Sequence, residues 1–279
     1  MNNAATQKYI NFVLAHANGN PNGDPDNDNA PRRYYTDERM LYISDVSVKR
    51  RLRDYWRSKL GQDIMYKGID APTTRKEESE QVGGKGLKGA DAGAKLKQSF
   101  LDVRLFGAVA TAGKGSSALT LTGCVQGGRG HSLHPVQGDT QVTITGTNPD
   151  ELESTFGDKH VVPIVYTKHC FLYTPPADGS VSSEDLDFLY DSILNAYGAY
   201  STASKPVAWF VKGLVVEASQ GVGQFRPLLM GRTSPFLVAQ DFEGWGNKVP
   251  LFPEDVSVSI DEGLVAKMGD AGIKVWELK

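Results

Sequence analysis

Two segments of this chain repeat their apolar side chains at helical spacing, and short apolar runs of strand character stand before, between and after them. That order admits few folds. Val48, Leu52 and Tyr55 follow at steps of four and three within 44–59, the spacing of one helical face. Ser44 can cap this helix, and Asp45 sits against the positive end of its dipole. The second helix is predicted over 182–197, with Ser182 or Ser183 as cap, Glu184 and Asp185 in its first turn, and Leu186, Leu189, Ile193 and Tyr197 along one side. Strand-like runs occupy 9–15, 100–109, 118–125, 161–173 and 207–216. Within 118–125, Leu119 and Leu121 alternate with Thr120 and Thr122, as in a half-buried strand. The order strand, helix, strands, helix, strand predicts an α+β fold of the ferredoxin-like, split βαβ plan, with two helices on one face of an antiparallel sheet.

Polar excursions interrupt this order. The loop 16–42 is rich in Asn, Gly, Pro and Asp. The stretch 61–98 reads as an insertion, with Gly83, Gly84, Gly86, Gly89 and Gly93 close together. A second, 127–158, opens on Gly127, Gly128 and Gly130, and 141–145 alternates like one arm of a hairpin. Residues 236–279 carry eight Asp and Glu against four Lys and Arg and read as a less regular C-terminal extension.

With 279 residues and 40% hydrophobic side chains, the chain can bury a sizeable core in one large domain or two modest ones. No run approaches the roughly 18 to 20 apolar residues that cross a bilayer, and 1–15 lacks the basic start and apolar run of a signal peptide. The expectation is a soluble, cytoplasmic chain without membrane attachment. Cys124 and Cys170 cannot build a disulfide framework or a four-cysteine zinc site and read as small core residues.

The net charge of -3 hides a segregation: 1–60 carries ten Lys and Arg against seven Asp and Glu, whereas 149–192 carries two against nine. Such asymmetry can leave a basic face for a nucleic acid on a mildly acidic protein; an unevenly charged, solvated surface is the alternative. The basic residues concentrate as Lys49-Arg50-Arg51-x-Arg53-x-x-x-Arg57, five cations on the first helix. They could hold phosphates through charge and hydrogen bonds, a sequence-independent and salt-sensitive contact, or simply face solvent.

Catalytic patterns are largely withheld. Asp24, Asp26 and Asp28 open like a calcium loop, but Asn29 and Tyr35 stand where Gly and a bidentate Glu are needed. Magnesium chemistry, which needs only one or two carboxylates plus a substrate phosphate, stays open for them. Gly107 and Gly113-Lys114 miss the P-loop spacing by one residue, and Gly115 lacks the required hydroxyl. His131 and His134, like His160 and His169, have no carboxylate or cysteine spacing that completes a zinc site, and read as surface or hydrogen-bonded side chains. Residues 104–109 resemble the RNA-stacking strand of RRM domains but lack its first Gly and two of its aromatics, which argues against RRM-style stacking.

Taken together, Gly19-Asn20-Pro21-Asn22-Gly23-Asp24-Pro25, Asn29-x-Pro31-Arg32, Ser44-Asp45-Val46-x-Val48-Lys49-Arg50-x-Leu52-Arg53, Asp102-Val103-Arg104-Leu105-Phe106-Gly107 and Lys159-His160-Val161-Val162-Pro163 form a recognisable set. Over about 9–220 the chain resembles the backbone subunit of type I CRISPR surveillance complexes, the Cascade filament protein of the RAMP superfamily, most like its I-B and I-C branches. The resemblance implies a modified RRM palm over 1–60, 99–126 and 159–235, a finger insertion over 61–98, a thumb hairpin over 127–158 and a C-terminal extension over 236–279. It implies CRISPR RNA as ligand, copies of the same chain polymerised along it, other Cascade subunits beside them, and target DNA paired with the guide. Lys49, Arg50 and Arg53 would then hold guide phosphates, with a hydroxyl from Ser47, while Phe106, Gly107 and Val109 approach the guide bases. No catalytic residue, metal or cofactor is implied, because type I backbone subunits leave cutting to a helicase-nuclease. The alternative is a metal-dependent endoribonuclease of the same superfamily using Asp24, Asp26 or Asp28, since type III relatives cut target RNA with an aspartate in a loop of this scaffold. A protein that tracks any spacer must grip phosphates and leave Watson–Crick edges free, and repeating one modest cationic site along an RNA adds binding by multivalency.

Overall fold

The computed structural model describes residues 6–35, 37–67, 77, 80, 82, 89–110, 119–136, 140–147, 154–200, 207–218, 223–231, 234–240 and 253–279. Strand β1 (Gln7–Gly19) is followed by β2 (Arg33–Tyr34), β3 (Asp37–Ile43) and helix α1 (Asp45–Ser58). Next come α2 (Gly89–Ser99), α3 (Leu101–Phe106), β4 (Gly107–Ala110), β5 (Leu119–Thr122), β6 (Val125–Gly127) and β7 (Gly130–Ser132). A hairpin of β8 (Thr140–Thr147) and β9 (Ser154–Tyr173) precedes α4 (Ser183–Asn195) and β10 (Val207–Ala218). The chain closes with α5 (Arg226–Met230), β11 (Phe236–Gln240), a 3-10 turn at Pro253–Asp255, β12 (Val256–Ile260), α6 (Glu262–Asp270) and β13 (Lys274–Glu277).

The main sheet runs β13-β10-β1-β9-β7-β3-β2, with β6 and β8 also on β9, and its pairings are antiparallel. Its heart, β10-β1-β9 followed by β6 and β7, is the strand order expected of a split βαβ chain. β1 is central because both of its faces are apolar: Ile10, Phe12 and Leu14 point one way, and Tyr9, Val13 and Ala15 the other. Against the first face pack Leu52 and Trp56 of α1 with Leu189 and Ile193 of α4. Both helices start where the sequence places them. Ser44 accepts a hydrogen bond from the Ser47 N–H, and Ser182 and Asp185 form a reciprocal capping box.

Three sequence expectations change. The 100–109 run is not a strand throughout: 101–106 is a helix, with Leu101 and Leu105 facing the main core and Phe100 and Val103 a smaller one around Met65 and Leu96. Over so short an apolar run, periodicity does not separate a buried strand from a buried helical turn. β4 pairs with β5 in a separate two-stranded sheet. The tail 236–279 is regular: β11 pairs with β12, Asp261 caps α6, and β13 joins the main sheet beside β10. Its acidic residues conceal the alternation of Val256, Val258 and Ile260 and the four-residue step from Leu264 to Met268. Phe225, Leu229, Phe236, Val256, Leu264 and Met268 cover the second face of β1. The face by which an RRM stacks bases is therefore filled by this chain's own side chains.

Cys124 and Cys170 are buried and free, and burial pushes both thiols up to about 12. Among the described residues no helix is long and apolar enough to cross a membrane. The Gly83–Gly86 part of the insertion and Gly113-Lys114 lie outside the described residues. On β9, burial pulls the Lys168 ammonium down to about 8, but Leu228, Leu229 and Gly231 carbonyls accept from it at 2.8 to 2.9 Å and so tie the sheet to the end of α5.

Four histidines are buried, His16, His134, His160 and His169, and burial shifts three of them. Burial, seconded by Arg51, lowers His16 to about 3; burial lowers His134 to about 4, and it takes His169 well below 6.5. His169 stacks on Phe12 and bonds Thr167 Oγ1, while His134 Nε2 accepts from the Tyr166 N–H. Unfolded histidines take up protons below about pH 6.5, whereas folded His16 and His134 do so only near 3 and 4, and His169 is displaced in the same direction. Their contribution is thus complete above about pH 6.5 and lost as pH falls from there toward the folded values, at up to roughly 1.4 kcal/mol per histidine per pH unit. Urea midpoints should fall clearly between pH 7.5 and 5; identical midpoints would contradict burial of these rings in the neutral form.

Candidate nucleic-acid interface

The loop after β1 is closed by its own amides. Asn20 Nδ2 donates to the Asn29 carbonyl at 2.5 Å, the Asn22 N–H donates to Asn20 Oδ1 at 3.2 Å, and Asn22 Oδ1 accepts from the Ser44 N–H at 2.7 Å. This last bond docks the loop on the start of α1. Between loop and helix lies a cleft of about 240 Å³, walled by Asn20 and Asn22 on one side and Ser47, Arg50, Arg51 and Asp54 on the other, with His16 and Tyr197 also lining it. Those two rings meet edge-on, with centroids 5.5 Å apart.

The other flank of α1 is aromatic. Lys49 Nζ lies 3.0 Å from Asp45 and 5.4 Å from the Phe106 ring centroid. The Arg53 guanidinium sits between the Tyr66 and Phe106 rings, 4.9 and 5.1 Å from their centroids, and its Nε donates to Asp102 Oδ2 at 3.0 Å. Asp102 is fully buried and also accepts from the Met65 and Tyr66 N–H groups at 2.8 and 3.1 Å. Two residues on, Arg104 grips Asp185 at the start of α4 with two bonds of 3.1 and 2.8 Å. Helix α3 therefore ties down both long helices, one ion pair to each.

The five cations of α1 are consequently not an even row facing solvent. Lys49 and Arg53 side chains are each 12% exposed and already hold a carboxylate. Arg50 is 44% exposed; it pairs with Asp54 at 2.6 Å, reaches the Tyr66 and Lys67 carbonyls, and also lines the cleft. Arg51 stacks over Tyr197 and Tyr200, and Arg57 donates to the Lys67 carbonyl. Lys49, Arg53 and Phe106 are brought together, and Ser47 lies with Arg50 across the helix. Phe106 also stacks on Trp56 with centroids 5.1 Å apart. Gly107 is buried and turns the chain at φ 80°, after which Val109 is exposed and its N–H donates to the Tyr66 hydroxyl at 3.0 Å.

In the acidic loop, Asp24 pairs with Arg32 at 3.2 Å and accepts from the Asp26 N–H, and Asp28 adopts φ 49°. Among the described residues, no group of three or more His, Cys, Asp or Glu is placed to hold a metal ion. Asn22, Tyr66 and the carboxylates of Asp102 and Asp54 are site residues that the cation spacing did not reveal. The Asn-Pro-Asn-Gly block marked the loop, but nothing local marks a contact between residues 36 or 49 positions apart.

A chain in the cryo-EM structure of the Type III-B Cmr-beta bound to cognate target RNA is similar at 13% identity and a TM-score of 0.42, over 75% of this chain. The likeness spans 61% of that chain, less than two thirds of its length. No curated protein matches. The family model of the CRISPR-associated protein Cas7 matches residues 6–259, nearly the whole chain and all the elements that build α1, its loop and the main sheet except β13, and on that match this protein belongs to the Cas7 family.

Proposed function

We propose that this protein is the CRISPR RNA-binding backbone subunit of a type I Cascade complex of the I-B or I-C kind. Copies of it polymerise along the guide beside other Cascade subunits and present the guide for pairing with target DNA. The Cas7 match over 6–259 carries the backbone role, and the motif resemblance supports its type I form. The cleft beside α1 supplies its chemistry: amide, hydroxyl and guanidinium donors converge from loop and helix, the donor set that holds a sugar-phosphate chain without reading bases. Ser47, Lys49, Arg50 and Arg53 contact guide phosphates; Phe106 and Val109 stand beside the bases, with Gly107 setting the backbone between them. The palm comprises 1–60, 99–126 and 159–235, the finger 61–98 and the thumb 127–158, while 236–279 backs the sheet. The β8–β9 hairpin supports the thumb assignment, since it projects both strands beyond the part of β9 that pairs with β1. The subunit works without catalysis, metal or cofactor.

Phosphate contact predicts a salt-dependent affinity whose slope counts the phosphates neutralised, about 0.7 per contact on a single strand. Titrating guide-length RNA over a range of salt, Lys49→Ala with Arg50→Ala should weaken binding and flatten the slope by roughly 1.4. Unchanged affinity and slope would overturn the phosphate role. Magnesium-dependent cleavage of that RNA, abolished by Asp24→Ala, would instead establish the endoribonuclease reading. Arg53 is left in place because its exchange also disturbs the fold.

A further inference from the structure

We propose that Tyr34, Tyr42, His131 and Arg129 form a stacking platform for a base of single-stranded nucleic acid, a second contact beyond the cationic helix; this rests on the nucleic-acid reading above. These residues come from three separate strands and a loop. Tyr34 and Tyr42 rings stand 5.3 Å apart, and Tyr34 lies nearly parallel to His131, 5.6 Å away and 22° tilted, with its hydroxyl on His131 Nδ1. Arg129 is exposed and holds its guanidinium over the Tyr42 ring, 4.7 Å from the centroid.

Three features point to a base rather than to ordinary packing. The rings are half-buried at the β2–β3–β7 edge of the sheet and belong to none of its apolar clusters. The stack ends in a cation that faces solvent, and rings and guanidinium planes are the surfaces on which unpaired bases stack. The platform also continues the proposed phosphate track. Strand β6 ends at Gly127, two residues before Arg129, and that end abuts the first turn of α1: a Cβ on Gly127 would lie 3.2 Å from Cβ of Asp45, the partner of Lys49. A strand held by α1 that passes its N-terminus meets Arg129 and Tyr42 next, and a base there extends the stack on the outer side of the guanidinium.

The test compares two strands of equal length and charge, one with bases and one abasic, each made as RNA and as DNA. Wild-type protein should favour the base-bearing strand by about tenfold, the scale of one base–aromatic stack. Tyr42→Leu and, separately, Arg129→Ala should abolish most of that preference, while Tyr42→Phe keeps it; Tyr42→Leu leaves abasic affinity unchanged, and Arg129→Ala lowers it only by the loss of one exposed charge. Arg129 is exposed, so its exchange tests the idea even if Tyr42→Leu unfolds the edge. A preference confined to RNA assigns the platform to the guide, and one confined to DNA to the target strand. Equal binding of both strands, or a preference that survives Arg129→Ala and Tyr42→Leu, overturns the platform and spares the phosphate reading. Failure of wild-type protein to bind any strand overturns that reading, and the platform with it.

Discussion

Arg53→Ala should lower the unfolding free energy by about 3 to 5 kcal/mol, although the sequence presents Arg53 as one of several cations on a polar helix face. The cost arises at Asp102. That carboxylate is fully buried, and its charge is balanced by the Arg53 guanidinium and two backbone N–H groups. Removing the arginine leaves a buried anion without its counter-charge, which costs far more than the pair contributes when intact. Arg53→Lys should recover part of the loss, because a point charge replaces a planar fork held between two rings. A double-mutant cycle with Asp102→Asn should show coupling of about 1 to 3 kcal/mol in urea unfolding. Additive effects would mean that the two side chains do not depend on each other. The result also bears on binding, since RNA affinity lost in Arg53→Ala combines a missing cation with a displaced Phe106 and Tyr66.

Gly107→Ala should cost about 2 to 5 kcal/mol, again through the fold. Gly107 adopts φ 80° and ψ 178°, a region that essentially only glycine occupies. A Cβ there would also collide with the Leu121 carbonyl and the Gly123 N–H, and one on Gly123 would strike the backbone of Leu105 to Gly107. The end of α3 and the end of β5 thus cross with no room for a side chain, and this crossing sets where Phe106 meets α1. Thermal unfolding of Gly107→Ala and Gly123→Ala should begin at clearly lower temperature than that of the parent. A parent-like melting curve for both would refute the close crossing.

The Asp102-Val103-Arg104-Leu105-Phe106-Gly107 block illustrates how much of the site could be read in advance. As a motif it points to the Cas7 family, and of its residues Phe106 and Gly107 are expected near guide bases. In the fold it is chiefly a clip: Asp102 holds α1, Arg104 holds α4, Phe106 stacks on Trp56, and Gly107 permits the turn. Side-chain identity shows which groups are able to pair. It does not show with which distant group, because partners 49 and 81 positions apart meet only after the sheet has formed. Arg53, equal in the sequence to Arg50, differs from it for the same reason: its carboxylate is Asp102, whereas Arg50 pairs with Asp54 one turn along its own helix.

The two long helices with their caps, the inward faces of α1 and α4 and the pairing arm at 141–145 were written locally, in spacings of two to four residues that act before tertiary contacts exist. Family membership was legible for the same reason, since motifs are contiguous. Tertiary structure alone decided that 101–106 coils, that the tail covers the second face of the sheet, and that the carboxylate of Asp102 claims Arg53 of α1. These outcomes depend on desolvation and on contacts between remote segments, terms with no value until the chain has folded around them.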